Sequence, residues 1–302
     1  MTTTTKKSPS IGLIGLGAMG LGMASSLRRN GYALNVCDVR FEVAENFALA
    51  GGVAFKTPSE LAKVSDIIIS VVVNAEQTET ILFGEHGAVN EMKQKSLFIM
   101  CSTVDPNWSA LLEKRLNNIG FLYLDAPISG GAAKAATGQI TMMTSGHTDA
   151  YQKVENILEA MASNIYKLGD RAGFGSKVKI INQLLAGVHI AVAAEAMALG
   201  IREGVDPNAL YEVITHSAGN SWMFENRMAH VLQADYTALS AVDIFIKDLG
   251  LVLDTARASK FPLPLAATAH QMFMQASAAG YGREDDAAVI KIFPGIKLPD
   301  AK

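Results

Sequence analysis

The chain has 302 residues, 26 of them basic and 29 acidic, for a formal net charge of −3 and a pI of about 6.1. Apolar residues make up 49% and charged residues only 18%, against about 25% charged in an average soluble domain. That balance excludes a disordered chain, which needs low hydrophobicity and high net charge, and it counts against nucleic acid as a partner, since a binder of it shows a basic surplus.

In chain order, residues 1–9 read first as a frayed tail. MTTTTKKSPS has no apolar core for a secretory signal and no arginine for a transit peptide. A strand at Ile11–Ile14 follows, then a helix through Arg29. Further strands are expected at Leu34–Cys37, Ile67–Val73, Leu97–Cys101, Phe121–Leu124, Gly138–Thr144 and Asn164–Leu168. The fully apolar run IIISVVV suits a strand buried on both faces of a parallel sheet. Strands alternating with helical stretches imply a doubly wound α/β domain.

The pattern changes at the glycine-rich segment Gly169–Gly175. After it the sequence offers no convincing strand. Ser176–Arg202 reads as one helix of about 40 Å. Helices at 208–217, 221–233, 241–259, 265–278 and 285–292 follow, punctuated by Pro262 and Pro264. The expected organisation is an N-terminal Rossmann-type domain over 10–169. An all-α domain for substrate and oligomer contacts covers 170–302.

Gly15-Leu16-Gly17-Ala18-Met19-Gly20 follows the first strand and opens a helix. A lone GxGxxG is weak, but here strand, glycines and helix agree. The first glycine permits the tight turn, the second lets backbone approach a pyrophosphate, and the third lets helix and strand pack closely. Asp38 ends the second strand near the spacing expected of a ribose-binding acid. Its charge repels a 2′-phosphate, so NAD is expected over NADP, with Arg40 softening that preference. Asn74 and Thr103 follow later strands. They read either as contacts to the nicotinamide half or as helix N-caps.

Ser129, Gly130 and Gly131 read as an anion-binding turn for a substrate carboxylate or as an ordinary Ser-Gly-Gly turn. Lys179 and Asn182 lie three apart on the long helix and share a face. Amid apolar neighbours, Lys179 reads as a lysine whose desolvation lowers its pKa, which suits a general base, or as a snorkelling side chain. Lys177 lies on a different face. His189 and Glu195 read as structural, inside a helical core or at an interface. Cys37 and Cys101 read as buried free thiols of a reducing cytoplasm, and no spacing suggests a metal. Leu184–Ile201 is long and apolar enough for a membrane span. It carries His189 and Glu195 and lacks flanking basic or aromatic anchors, so a buried helix is expected instead.

The motifs GLGAMG (15–20), DAPISGG (125–131), GFGSKVKIINQ (173–183) and FIKDLGL (245–251) resemble the β-hydroxyacid dehydrogenases. That group includes 3-hydroxyisobutyrate dehydrogenase and tartronate semialdehyde reductase. The resemblance runs from Ile11 to about Phe293 and implies an NAD-dependent oxidation of a small hydroxy acid held between two domains. It implies Lys179 as catalytic base with Asn182 as its partner, and Ser129–Gly131 on the substrate carboxylate. It implies Thr103 and Lys247 on the cofactor, with Asp248 holding that lysine or its helix beside the substrate. Two departures stand out: Asn182-Gln183 where the family often has two asparagines, and Asp38 where several NADP-using reductases carry Asn-Arg. The stretches KIINQLLAGVHIAVAAEAMALG, NSWMFENRM, SAVDIFIKDLGLV and GYGREDDAAVIKIF resemble a branch that oxidises L-threonate at C2. There Ser221, Trp222 and Phe224 are expected to wall the polyol end. 3-Hydroxyisobutyrate as substrate, tartronate semialdehyde reduction and a non-catalytic dinucleotide-binding role are the alternatives. The apolar excess of the long helix further suggests a homodimer or homotetramer.

Overall fold

The computed structural model describes residues 9–300; residues 1–8 of the expected tail lie outside them. The chain divides into two compact units, at residues 179 and 180. The division falls inside the long helix, past the glycine-rich segment.

The first unit is built on six parallel strands: β1 (Ile11–Ile14), β2 (Leu34–Cys37), β3 (Val53–Phe55), β4 (Ile67–Ser70), β5 (Leu97–Met100) and β6 (Leu122–Asp125). Their order in the sheet is β3-β2-β1-β4-β5-β6, the doubly wound arrangement whose order reverses between β1 and β4. Alternate residues feed two apolar layers. Leu13, Val36, Ile67, Ile69 and Ile99 join Met23 and Leu27 on one face. Ile14, Ile68, Phe98 and Tyr123 join Leu61, Leu82 and Leu112 on the other. The continuous apolar runs therefore have the cause expected of them: both faces are covered.

The expected strand Ile67–Val73 stops at Ser70. β1 ends at Ile14, so past Val71, whose N–H donates to the Ile14 carbonyl at 2.8 Å, there is no straight neighbour to pair with. β3 escaped the sequence reading because it is three residues long and half exposed. A second, small sheet joins β7 (Ile128–Ser129), β8 (Ile140–Thr144) and β9 (Ala162–Lys167) in that order. β7 is too short to show a period.

The second unit is helical. Its core gathers Ile190, Ala194 and Met197 of the long helix Phe174–Arg202 with Phe224, Met228, Phe245, Leu249 and Phe273. Helices Pro207–Thr215, Trp222–Gln233, Val242–Ala258 and Pro264–Ala276 surround it. The last expected helix is a 3-10 helix, Asp286–Ile292. The long helix has a mean hydropathy of 1.9 over its most apolar stretch and passes the length and composition test for a membrane span. One face lies in the helical core, while Ile181, Leu185, Val192 and Leu199 are exposed. Glu195 is exposed and not a core residue, and His189 is half-buried. Both cysteines are free and buried; burial pushes each thiol up to about 12.

Candidate active site

β1 delivers the chain to Gly15, whose φ of +95° belongs to the left-handed region that glycine enters without penalty. A Cβ on Gly15 would lie 2.4 Å from the Val71 carbonyl oxygen. A Cβ on Gly20 would lie 1.9 Å from the carbonyl oxygen of Gly15. Neither position admits a side chain. A Cβ on Gly17 would meet nothing within 4 Å, so the middle glycine turns bare backbone toward open space. The helix Ala18–Arg29 starts there with no side-chain cap, leaving the N–H groups of Ala18, Met19 and Gly20 in the position that anions occupy at helix N-termini. The loop thus fits a pyrophosphate.

Asp38 is buried beside this turn. Its Oδ2 accepts the Leu16 N–H at 2.6 Å and its Oδ1 the Arg40 N–H at 2.9 Å. The Arg40 side chain stays largely in solvent, with Nε 3.7 Å from Oδ1. Backbone N–H groups hold the carboxylate at the end of β2, where it retains lone pairs for a ribose. Of the other two sequence candidates, Asn74 is a helix N-cap: its Oδ1 accepts the Gln77 N–H at 2.8 Å. The N-cap of the helix Pro106–Asn118 is Asp105 and not Thr103. Beside Thr103, the Ser102 hydroxyl donates to the Val72 carbonyl at 2.7 Å and ties together the loops after β4 and β5.

β6 ends at Asp125, which the sequence singled out only as part of a motif. It is fully buried. Its Oδ2 accepts the N–H groups of Gly173 and Ser176, each at 2.9 Å, and the Ser145 hydroxyl at 3.1 Å. Its Oδ1 accepts the Ser176 hydroxyl at 2.7 Å. Burial pushes its carboxyl up, against the pull of these bonds. Ser145 Oγ accepts the Gly175 N–H at 2.9 Å, and a Cβ on Gly175 would lie 2.3 Å from the Met143 carbonyl. One carboxylate therefore caps the start of the long helix and pins it to the edge of the sheet. No spacing in the sequence pairs residue 125 with residues 173 and 176, so the role was not legible there.

Three and four residues after Pro127, Gly130 and Gly131 adopt φ of +129° and +77°. They open the helix Gly131–Thr137, whose N-terminus has no side-chain cap. Ser129 ends β7 beside them. On the second turn of the long helix Lys179 is 7% exposed, whereas Lys177 is exposed and stacks its Nζ 4.9 Å above the Phe174 ring. The two lysines are as different in setting as the sequence suggested.

In the helical unit, Asn182, Gln183, Lys247 and Asp248 form one polar chain. Asn182 Nδ2 donates to Gln183 Oε1 at 3.1 Å. Gln183 Nε2 donates to Asp248 Oδ2 at 2.5 Å. Lys247 Nζ lies 2.6 Å from Asp248 Oδ1. Asp248 is 2% exposed, so its visible work is to hold Lys247 and Gln183. Around Trp222 the expected polyol wall is different in kind. Ser221 caps the helix Trp222–Gln233, accepting the Phe224 N–H at 3.0 Å. Phe224 is buried and stacks on Tyr211. Trp222 is 54% exposed and lines a cavity of about 380 Å³ with Tyr211, Glu225 and His230. No cluster of metal-binding side chains occurs among the described residues.

Residues 10–169 match the family model described as the NAD binding domain of 6-phosphogluconate dehydrogenase. Residues 173–293 match that described as NAD-binding of NADP-dependent 3-hydroxyisobutyrate dehydrogenase. The L-threonate dehydrogenase of Cupriavidus necator is 64% identical, the alignment covering 97% of this chain and 98% of that one. The chain belongs to the β-hydroxyacid dehydrogenase family. This dehydrogenase is also similar to the L-threonate dehydrogenase of Escherichia coli K12, at 49% identity over 97% of each chain. A crystal structure described as 3-hydroxyisobutyrate dehydrogenase from Salmonella typhimurium superposes with a TM-score of 0.90 at 50% identity. That match covers 94% of this chain and 99% of that one. The dehydrogenase is thus an NAD(P)-binding oxidoreductase that acts on CH–OH groups.

Proposed function

We propose that the dehydrogenase oxidises L-threonate at C2 to the 2-oxo acid, with Lys179 as general base and NAD as the preferred cofactor. The observation that carries this reading is the buried Lys179, on a helix pinned to the sheet by Asp125. The names and near full-length coverage of the relatives support the substrate. When bound, the nicotinamide of NAD takes the hydride that leaves the carbinol carbon. The chain's own residues do the rest. Lys179 takes the hydroxyl proton. The hydroxyl and backbone of Ser129–Gly131 receive the carboxylate. Gly15–Gly20 hold the pyrophosphate, and Asp38 accepts from the ribose hydroxyls and repels a 2′-phosphate. Thr103 and Lys247 are proposed cofactor contacts, and Asn74 supports the loop after β4 as a cap. Trp222 is the exposed residue offered to the polyol end.

Removal of a general base costs about 10²–10⁴-fold in rate, so Lys179→Ala is expected to lose that much kcat while remaining folded. Turnover within a few-fold of wild type would remove Lys179 from the chemistry. Initial rates with NAD on L-threonate, D-erythronate and 3-hydroxyisobutyrate decide the substrate. L-threonate is expected to give the highest kcat/KM. Should 3-hydroxyisobutyrate win, the second reading holds, which the Salmonella structure's description favours. Exposed Ile181, Leu185, Val192 and Leu199 along the long helix support a homodimer or homotetramer, and a reducing cytoplasm suits the two free thiols. A monomeric mass by light scattering would exclude the oligomer.

A further inference from the structure

We infer that Gly22 is a positioning residue that sets the distance between the glycine loop and the turn Ser129–Gly131; its effect on turnover rests on that turn receiving the substrate carboxylate. Gly22 is buried at the fifth position of the helix Ala18–Arg29. A Cβ there would lie 2.6 Å from the Ala136 nitrogen, 2.8 Å from the Ala135 carbonyl carbon and 2.9 Å from the Ala135 methyl. Two of those three atoms are backbone, which no rotamer change moves aside. The helices Ala18–Arg29 and Gly131–Thr137 therefore meet main chain to main chain. One turn on, they meet again. A Cβ on Gly138 would lie 2.5 Å from Ser26 Oγ, which is itself held by donating to the Ala160 carbonyl at 2.7 Å.

The first helix starts at the glycine loop, and the second follows Ser129 and Gly130 directly. With no side chain between the helices at Gly22, the spacing of the two turns is set by backbone contact, and close-packed groups transmit a displacement. What holds each helix decides which one yields. The first is wedged at Gly20 against the Gly15 carbonyl and buries Met23, Ala24 and Leu27 in the core. The second has seven residues, of which only Ala135 is buried. Gly130, Gly131 and Gly138 around its ends have positive φ, and glycine rotates there without steric penalty. Ser129 is tied to β8 by a strand of only two residues. A methyl at position 22 thus moves the second helix with its turn and leaves the glycine loop in place. The 2.6 Å approach is well inside the 3.4 Å at which ordinary contact begins. The shift needed approaches 1 Å, and a misplacement of about 1 Å can cost about 10²-fold.

The test is steady-state kinetics with L-threonate and NAD on Gly22→Ala, Ala135→Val and Ser129→Ala beside wild type, with NAD binding read by titration calorimetry. Ala135→Val widens the same contact from the other helix, so it serves if Gly22→Ala does not fold. In both, KM for the hydroxy acid is expected to rise about tenfold or more, while the Kd for NAD stays within about twofold of wild type. A merely structural role would loosen the whole unit, so NAD binding lost in parallel with the hydroxy acid overturns the inference. So does an unchanged KM. Failure of both variants to fold would show that the second helix does not yield, and overturns it too. Ser129→Ala separates the two levels. If it leaves KM unchanged, the turn does not receive the carboxylate, and the inference falls with that reading. If it raises KM while Gly22→Ala and Ala135→Val do not, the spacing role alone falls.

Discussion

Asp125 and Asp248 are both buried carboxylates, yet they hold different things. Asp125 grips two main-chain N–H groups and two short hydroxyls. Asp248 grips two long side chains, Gln183 and Lys247. A carboxylate bonded to backbone decides where a helix starts, and everything further along that helix inherits the placement. A carboxylate bonded to side chains decides which way those side chains face and leaves the backbone alone. The first should matter to folding and to chemistry together, the second chiefly to chemistry.

The largest expected effect breaks that comparison if it is wrong. Each buried donor left unmade costs about 1–3 kcal/mol, and Asp125→Ala strands four of them. We expect it to lose about 4 kcal/mol or more in urea unfolding and to yield little soluble enzyme. Asp248→Ala removes a partner of two side chains and of no backbone group, so about 1–2 kcal/mol is expected, with kcat reduced as well. Equal losses of stability in the two variants would show that the distinction between backbone and side-chain anchoring is empty.

The glycine loop repeats the contrast at smaller scale. Gly20 sits against the Gly15 carbonyl and Gly17 faces open space. Gly20→Ala is an overpacking change expected to cost about 2–3 kcal/mol. Gly17→Ala should leave unfolding within about 0.5 kcal/mol of wild type and weaken dinucleotide binding about tenfold, which is 1.4 kcal/mol. Titration calorimetry with NAD and with NADP reads the second effect and tests the preference attributed to Asp38 in the same experiment.

How much of this was legible in the sequence depended on range. The glycines, Asp38 and the contrast between Lys179 and Lys177 are local: each follows from a strand end, a turn or a helix period within about 25 residues. The doubly wound sheet was legible because covered strands read as continuous apolar runs. Asp125 with residues 173 and 176, and Gln183 with Asp248, pair across about 50 and 65 positions, and nothing in a single sequence registers such pairs. Short β3 and β7 carry too few residues to show a period. Phe224 failed as an expected pocket wall for a different reason: a helix that presents Trp222 outward must turn a neighbour inward, and spacing alone does not say which.

A third kind of anchoring in the molecule is one that titrates. His230 Nδ1 lies 3.1 Å from Asp285 Oδ1, and the same oxygen accepts the Ala287 N–H at 3.2 Å. Arg227 pairs with neighbouring Asp286 and reaches Asp285 at 3.9 Å. The hydrogen bond to Asp285 raises His230 above its ordinary value, against burial and the Arg227 charge. Asp285 is held below the ordinary carboxylate range by His230 and Arg227, against its burial. A histidine whose folded value is raised contributes stability that is full below its unfolded value of about 6.5 and is lost as pH climbs through the folded one. A carboxylate whose folded value is lowered contributes stability present above about 4 and lost as pH falls through its folded value. The pair should therefore stabilise the helical unit most between about pH 4 and 6.5 and less on the alkaline side. His230→Gln is expected to cost about 1–2 kcal/mol at pH 6, much less at pH 8.5, and so to flatten the wild-type decline in unfolding temperature between them. Identical declines in the two proteins would mean that His230 is held by packing alone. This anchor is then one that ordinary buffers can loosen.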